Sequence, residues 1–496
     1  MFRFSRDKKL TLKDLADFIA KHKQEVTNRY KKLKSAYISD YDILHQEAKP
    51  QYKPDNRIVV NFAKYEVDTM NGFFIGNPIK TVSENEETAN FVEYIEKYNN
   101  QDDNNAELSK ICSIYGKGYE MYYADEEGNL CITYLSPMDA FMIYDESIVE
   151  RPLYFVRLYK DYEGNERGSI SNSEGVRHFS NSGEIKWTED DWTAHFFDGI
   201  PATEYVENEE RQGIFEPVLT MINAYNKAIS EKANDVDYFA DAYLKILGTL
   251  LESDDLEHIR DNRIINFDGD DAQKIIVEFM DKPNNDTAQE NLLERLERLI
   301  FHISMIANVS DENFGTSSGI ALKYKLLSMI NLAKTKERKF VSGMNRRYML
   351  LFSHPLSKVP KESWVQLEYQ FTPNLPNNIL EEADIAAKIE GIVSHETQLK
   401  ILSIVNNVQT ELDKIAEENA EVQETTVEKS MFGGEKASVY EITSVLQKYQ
   451  EKKISFNNAV RMLVRLGYTE EEAQTIISDK DVVEEAVANN TLPTGV

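Results

Sequence analysis

The sequence predicts an α+β protein, and three observations carry that reading. Between Tyr119 and Tyr205 short alternating segments are broken by Asp125-Glu-Glu-Gly-Asn129, Glu163-Gly-Asn165 and Asn181-Ser-Gly183. Glycine and asparagine supply the positive-φ positions of tight turns, so this is the pattern of an antiparallel meander. Two further runs space apolar residues as heptads: Ala233, Val236, Ala240, Tyr243, Leu247, Leu250, and then Leu292, Leu296, Leu299, Ile303, Ile306. Such seams belong to long helices packed side by side. From residue 381 onward the pattern is helical and acidic, with 22 Asp+Glu against 11 Lys+Arg.

Residues 11–34 open with Thr11-Leu-Lys-Asp14 and place Leu15, Phe18 and Ile19 on one stripe, which predicts a surface helix. Ile58-Val59-Val60 leads into a helix-like run to Met70, and Gly72 to Pro78 then reads as a helix stop and turn into a strand. The meander and the first seam follow. Residues 252–288 hold two strand candidates, Ile264-Ile-Asn-Phe267 and Ile275-Ile-Val-Glu-Phe279, separated by a turn-rich stretch from Asp268. The expected unit is a helical hairpin with a small β-containing tip. Tyr238, Ile246, Leu293 and Ile300 lie off the seams, more apolar surface than one helical partner needs, which points to neighbours from other copies of the chain.

A Gly/Ser loop, Asn308 to Gly319, precedes a helix pattern from Ile320 to Leu351. That helix carries Lys323, Lys325, Lys334, Lys336, Arg338, Lys339, Arg346 and Arg347 against the acid Glu337. Trp364 to Phe371 reads as a strand. Gly433-Gly434 divides the acidic tail, and Thr469-Glu-Glu-Glu472 after Gly467 is a capping box opening a helix.

The 496 residues allow about three domains. Apolar content of 41% with 28% charged residues excludes wholesale disorder. The formal charge of −29 argues against a tight grip on nucleic acid, because duplex DNA carries a charge every ~1.7 Å and is bound by Lys and Arg displacing its counterions. It does not exclude touching DNA without gripping it. Cys112 and Cys131 lack the spacing of a zinc site or disulfide framework and fit a reducing compartment. The start has no secretory apolar region, and the longest uncharged runs, Leu299 to Ser310 and Tyr369 to Leu380, fall short of the ~18 residues of a membrane span. A soluble, intracellularly made protein with no membrane partner is expected.

Catalytic patterns are poor. Gly116-Lys117 is followed by Gly118, so no nucleotide-binding Walker A loop forms, and the eight histidines show no zinc spacing. Gly315-Thr-Ser317-Ser-Gly319 matches the Gly-x-Ser-x-Gly nucleophile pattern in letters, but a heptad helix and Ser310-Asp-Glu-Asn313 precede it where that motif needs a strand. A loop that caps the next helix explains it better. Glu252 to Asp255 lacks a calcium-loop pattern and reads as a solvated acidic turn. No catalytic residue, cofactor or metal is expected. The basic helix faces DNA, a neighbouring subunit or solvent.

Five segments, in this order, resemble the portal proteins of tailed bacteriophages, in particular the siphophage type of Gram-positive hosts. They are Asn71-Gly-Phe-Phe-Ile-Gly-Asn-Pro-Ile79, Ile114-Tyr-Gly-Lys-Gly-Tyr119, Asn234 to Leu244, Asp311 to Leu326, and Leu375-Pro376 with Glu381-Glu382. The resemblance implies a portal fold: a mixed α/β wing from residues 1–232 and 320–385, the latter including a channel-side helix, a stem of 233–251 and 289–309, and a clip of 252–288. The crown and C-terminal helical module, 386–496, are placed by position. Residues 310–319 then include the channel loop: Asp311, Glu312, Asn313, Phe314, Gly315, Thr316, Ser317, Ser318 and Gly319. The family's role implies a homo-oligomeric, typically dodecameric, ring at one capsid vertex, assembled in the host cytoplasm. Double-stranded DNA enters and leaves through it without lasting contact. Implied partners are the packaging ATPase (the large terminase subunit), major capsid and scaffolding proteins, and a head-completion adaptor. Two competing readings stand beside it: an acidic adaptor that forms no ring, and a serine hydrolase resting on Ser317.

Overall fold

A computed structural model of the chain describes residues 1–50, 53–240, 244–247, 276–279, 286–309, 324–374, 379–402, 404–405, 408–416, 439–450 and 453–478. It divides into two units, Met1–Leu375 and Pro376–Val496.

The first unit begins with β1 (Phe2–Arg3) and α1 (Leu12–Glu25), whose Thr11 cap accepts from Asp14 N at 3.2 Å while Asp14 accepts from Thr11 N at 2.9 Å. That reciprocal bonding satisfies two amides that the first helical turn leaves orphaned. After a π-turn come α2 (Lys31–Tyr37) and α3 (Phe62–Ile75), then β2 (Lys80–Val82), α4 (Glu86–Tyr98) and α5 (Gln101–Tyr115). The predicted meander follows as β3 (Lys117–Ala124), β4 (Leu130–Leu135), β5 (Ala140–Tyr144), β6 (Pro152–Lys160), β7 (Glu166–Ser171), β8 (Gly175–Ser180), β9 (Lys186–Trp187), β10 (Thr193–Ala194) and β11 (Ala202–Val206). β5 to β8 pair antiparallel in sequence order, with β1 added parallel to β5 and both β9 and β10 on β8. β11, β3 and β4 make a second sheet.

The remaining elements of this unit are α6 (Leu219–Ala240), β12 (Leu244–Leu247), β13 (Ile276–Phe279), α7 (Asp286–Ser304), α8 (Leu327–Ser353) and β14 (Glu368–Gln370), which pairs with β2. Two expectations change here. The helix carrying the first seam is described as far as Ala240 and Leu244–Leu247 is a strand, so no single helix runs to 251. The strand's register sets Leu244 opposite Phe279, Lys245 opposite Glu278 and Ile246 opposite Val277. Of the strand predicted at Ile275–Phe279, Ile276–Phe279 forms and pairs with Leu244–Leu247; Ile264–Phe267 lies outside the described residues. Trp364 to Phe371 is strand only at Glu368–Gln370, preceded by a 3₁₀ turn at Lys361–Gln366.

Apolar burial organises the unit around α3 and α5. One core joins them to α8 through Met70, Phe74, Leu108, Phe340 and Met344, and another joins them to α6 and α7 through Phe62, Val67, Ile114, Ile222 and Ile300. α1 covers one face of the large sheet with Leu15, Phe18 and Ile19 against Phe141, Val156 and Ile170.

The second unit contains α9 (Ile379–Lys388), α10 (His395–Leu399), α11 (Val439–Gln450), α12 (Phe456–Arg465) and α13 (Glu470–Ser478). The last three enclose their own core of Ile442, Leu446, Val460, Leu463, Ile476 and Ile477. The expected capping box opens α13, with Thr469 N donating to Glu472 at 2.8 Å and Glu472 N donating to Thr469 at 3.3 Å.

Candidate functional site

Helix α8 holds most of the basic residues singled out in the sequence, and the structure separates them. Lys336, Phe340, Gly343 and Arg347 recur at helical spacing and form the face turned into the protein. Lys336 is 1% exposed; its ammonium donates to Glu207 at 2.7 Å, to the Ser113 hydroxyl at 2.5 Å and to Ser109 O at 3.1 Å. Arg347 is fully buried and grips Glu120 with two nitrogens, at 2.7 and 2.9 Å, and Asn105 at 2.6 Å. Glu120 also accepts from Gln101 and Tyr122. Between the two cations Gly343 is needed for close approach, since a Cβ there would stand 2.3 Å from the Tyr205 ring. The expectation that Lys336 and Arg347 face DNA or another subunit is corrected: both charges are spent within the chain, because a buried cation needs its partner beside it.

The others differ. Arg346 donates to the carbonyls of Ala202 and Ile200, at 3.3 and 3.4 Å, with burial holding its pKa below the ordinary arginine value. Lys339 pairs with Glu209, and exposed Lys334 with Glu337 at 2.7 Å. Arg338 and Lys325 are exposed. Lys323 and Asp311 to Gly319, Ser317 included, lie outside the described residues.

The paired helices α6 and α7 form the second candidate element. α6 turns a polar row inward, Asn226, Ser230 and Asn234, all buried. These side chains accept from the alternate amides of Val60 (2.8 Å), Ile58 (2.9 Å) and Asn56 (2.6 Å). Four helical residues rise ~6.0 Å and two extended residues ~6.6 Å, so the two repeats match along the contact. Three amides on this strand-like segment thereby gain partners without a sheet. Sequence reasoning missed the row, although three small polar residues at four-residue spacing opposite an apolar run were its signal. Gln289 of α7 donates to Asp235 at 2.8 Å, and Lys232 pairs with Glu290.

The apolar surface of this helix pair is not all used. On α7 the off-seam residues Leu293 and Ile300 are buried, whereas seam residues Leu292 and Ile303 are 50% and 44% exposed. On α6 Val236 is 53% exposed. Part of the heptad face, Val236, Leu292 and Ile303, is thus left at the surface of an isolated chain, while the seam residue Ile306 is buried with the off-seam Leu293 and Ile300.

Past Ser304 the chain turns sharply. Met305 has φ +63°, Ile306 is buried, and the Tyr65 hydroxyl donates to Ala307 O at 3.4 Å and accepts from Val309 N at 2.9 Å. α3 therefore fixes the path along which the chain leaves α7 towards Asp311.

Among the described residues no cluster of His, Cys, Asp and Glu is suited to hold a metal ion. Two of the histidines are occupied structurally: His22 bonds Pro137 O at 2.9 Å and His195 bonds Asn172 O at 2.9 Å. No described helix is long and apolar enough to cross a membrane.

Comparison with known proteins adds the family. The model of a family described as phage portal protein, SPP1 Gp6-like, matches residues 16–425. The chain is similar to a portal protein of Clostridium phage phiCD119, 24% identical over 238 residues, covering 47% of this chain and 51% of that protein. It is also similar to a portal protein of Bacillus phage SPP1, 22% identical over 411 residues, covering 76% and 79%. The chain thus spans about half the length of the first of these relatives and most of the second.

Proposed function

The chain belongs to the SPP1 Gp6-like family of phage portal proteins, and from that premise we propose that it builds the ring-shaped channel at a capsid vertex through which double-stranded DNA is packaged and ejected. The observation that carries the proposal is the apolar seam of α6 and α7. Val236, Leu292 and Ile303 stand half exposed on helices whose opposite faces are already filled. Covering them with the same helices of adjacent copies would remove that surface from water, at roughly 25 cal/mol per Å².

In this reading α6 and α7 are the stem, β12 and β13 the base of the clip on which the packaging ATPase docks, and the sheets with α1–α5 and α8 the wing. Asp311 to Gly319 is the loop lining the channel, and the second unit supplies the crown. The ring is dodecameric and sits in the virion after assembly in the host cytoplasm. Capsid, scaffolding and head-completion proteins surround it.

The family is structural, and the proposal assigns ATP hydrolysis to the docked motor, with no enzymatic activity in this chain. Its net charge of −29 suits a conduit, since phosphates are repelled on average and DNA slides instead of adhering. The test is negative-stain imaging together with native mass spectrometry of the purified chain in magnesium buffer. Closed rings with a central hole are expected; monomers or dimers at every salt concentration would favour a non-ring adaptor.

A further inference from the structure

Helix α3 meets the end of α7 through Phe62 and Tyr65, one turn apart. The Phe301 ring packs edge-on against Phe62 at 5.7 Å and Tyr65 at 5.5 Å. The Tyr65 hydroxyl holds Ala307 and Val309 beyond the left-handed break at Met305. Beside these contacts lies Glu66, with no exposure to solvent, and neither carboxyl oxygen has a hydrogen-bond partner of normal geometry among the described residues.

What surrounds Glu66 is apolar or neutral. From α7 the buried Ser304 hydroxyl acts on it and favours the ionised form, but that hydroxyl also reaches Phe301 O at 3.5 Å. From the segment after α2, Tyr41 faces it, with its hydroxyl donating to Asn61 at 3.3 Å; burial, and then the Glu66 charge, push that phenol up. The charged neighbours on α3, Lys64 and Asp68, pair with each other at the surface at 2.7 Å. No charged group among the described residues acts on the Glu66 carboxyl. An ionised carboxylate here would lose its hydration with no cation in return.

We propose that Glu66 is a positioning residue that seats the exit of α7 on α3 only while it is uncharged, so that loss of its proton to water frees residues 304–309. The seat ties proton binding to the path by which the chain approaches Asp311. Burial pushes the carboxyl from 4.5 up to about 8. The sign follows from linkage. Below pH 4.5 both the seated and the released forms hold the proton, and the seat is at its tightest. From there to about 8 only the seated form holds it, so release becomes easier by close to tenfold per pH unit. Above that both are ionised and the dependence flattens.

The test is amide hydrogen exchange at Ile306, Ala307 and Val309 in the full chain, comparing the parent with Glu66→Gln at several values between pH 5 and pH 8. The amide side chain stays neutral throughout, and intrinsic exchange rates cancel between the two proteins. Protection in the parent should fall by about tenfold more than in Glu66→Gln between pH 6 and pH 7. Amides of β5 and β6 should show no such difference. Identical profiles in the two proteins would overturn the proposal. Should Glu66→Gln fail to fold, carboxyl infrared titration of the parent decides: a Glu66 pKa near 4.5 overturns the seat, and one well above it supports it. Both measurements are made on unassembled chains, so failure here is distinct from failure to form rings.

Discussion

Arg347 and Glu120 are both fully buried, and two nitrogens of the guanidinium meet the two carboxylate oxygens at 2.7 and 2.9 Å. The pair ties α8 to β3 across 227 residues of sequence, and Asn105 of α5 completes the junction. Such a pair costs much desolvation, and its geometry offsets that cost only while both partners are present.

Arg347→Met alone should therefore cost about 3–5 kcal/mol, because it strands a buried carboxylate. Adding Glu120→Leu should recover a large part of that loss. Arg338→Ala, an exposed substitution on the same helix, should stay within about 0.5 kcal/mol of the parent. Urea unfolding followed by circular dichroism measures all three. If Arg347→Met and Arg338→Ala prove equally mild, the buried pair does not secure α8.

The inward turn of Arg347 shows where the sequence stops being informative. Helical spacing places Lys336, Phe340 and Arg347 on one face but does not say whether that face looks in or out. The answer comes from Glu120, inside β3, and Glu207, just past the end of β11, and an acid inside an apolar strand was the overlooked hint. The meander was legible because its turns need positive φ, and Gly128, Gly164 and Gly183 have φ of +83°, +84° and +88°. The end of the first seam was not, since Tyr243 and Leu247 fit a heptad while Leu244 to Leu247 also fit a strand. Only the pairing with Ile276–Phe279 decides between the two periods. Surplus apolar surface on the helix pair was legible, but not which residues carry it: Val236, Leu292 and Ile303 stay exposed while Leu293, Ile300 and Ile306 are buried.

Charging the seam tests the ring. Val236→Asp combined with Ile303→Asp places carboxylates on positions already 53% and 44% exposed, so the monomer should keep its fold and its circular dichroism spectrum. Around the ring the added charges would face one another in a surface otherwise driven together by apolar burial. Native mass spectrometry in magnesium buffer should then find monomers where the parent forms rings. Because each parent chain carries −29, lowering magnesium and salt should weaken parent rings in the same direction. Rings unchanged in the double variant would place the subunit interface elsewhere.

The tip of the helical hairpin is tested by deletion. Replacing residues 248–275 with a short Gly/Ser turn keeps both β12 and β13, whose pairing closes the hairpin. Shortening a loop costs little closure entropy, so the wing and stem should fold and ring formation should persist. Docking of the packaging motor, measured by co-sedimentation with the rings, should be lost. Motor binding at the parent level would remove the clip assignment from this segment.

The segment Asp311 to Gly319 is tested by stiffening it and by neutralising it. It joins α7 to α8, and Gly315 and Gly319 permit backbone angles closed to other residues. Asp311 and Glu312 repel phosphates, so contact with passing DNA would be steric and brief, and following the duplex would require backbone freedom. Replacing Gly315 and Gly319 together with valine restricts that freedom and adds β-branched bulk. Rings and capsids should form as in the parent, while packaging or retention of DNA, scored by nuclease protection of the encapsidated genome, should be lost. Asp311→Asn with Glu312→Gln acts through a different term: with the repulsion removed, DNA should adhere more and move more slowly, an effect that weakens as salt rises. A double-valine ring that packages and retains full-length DNA at the parent rate would reduce the segment to a connector between two helices.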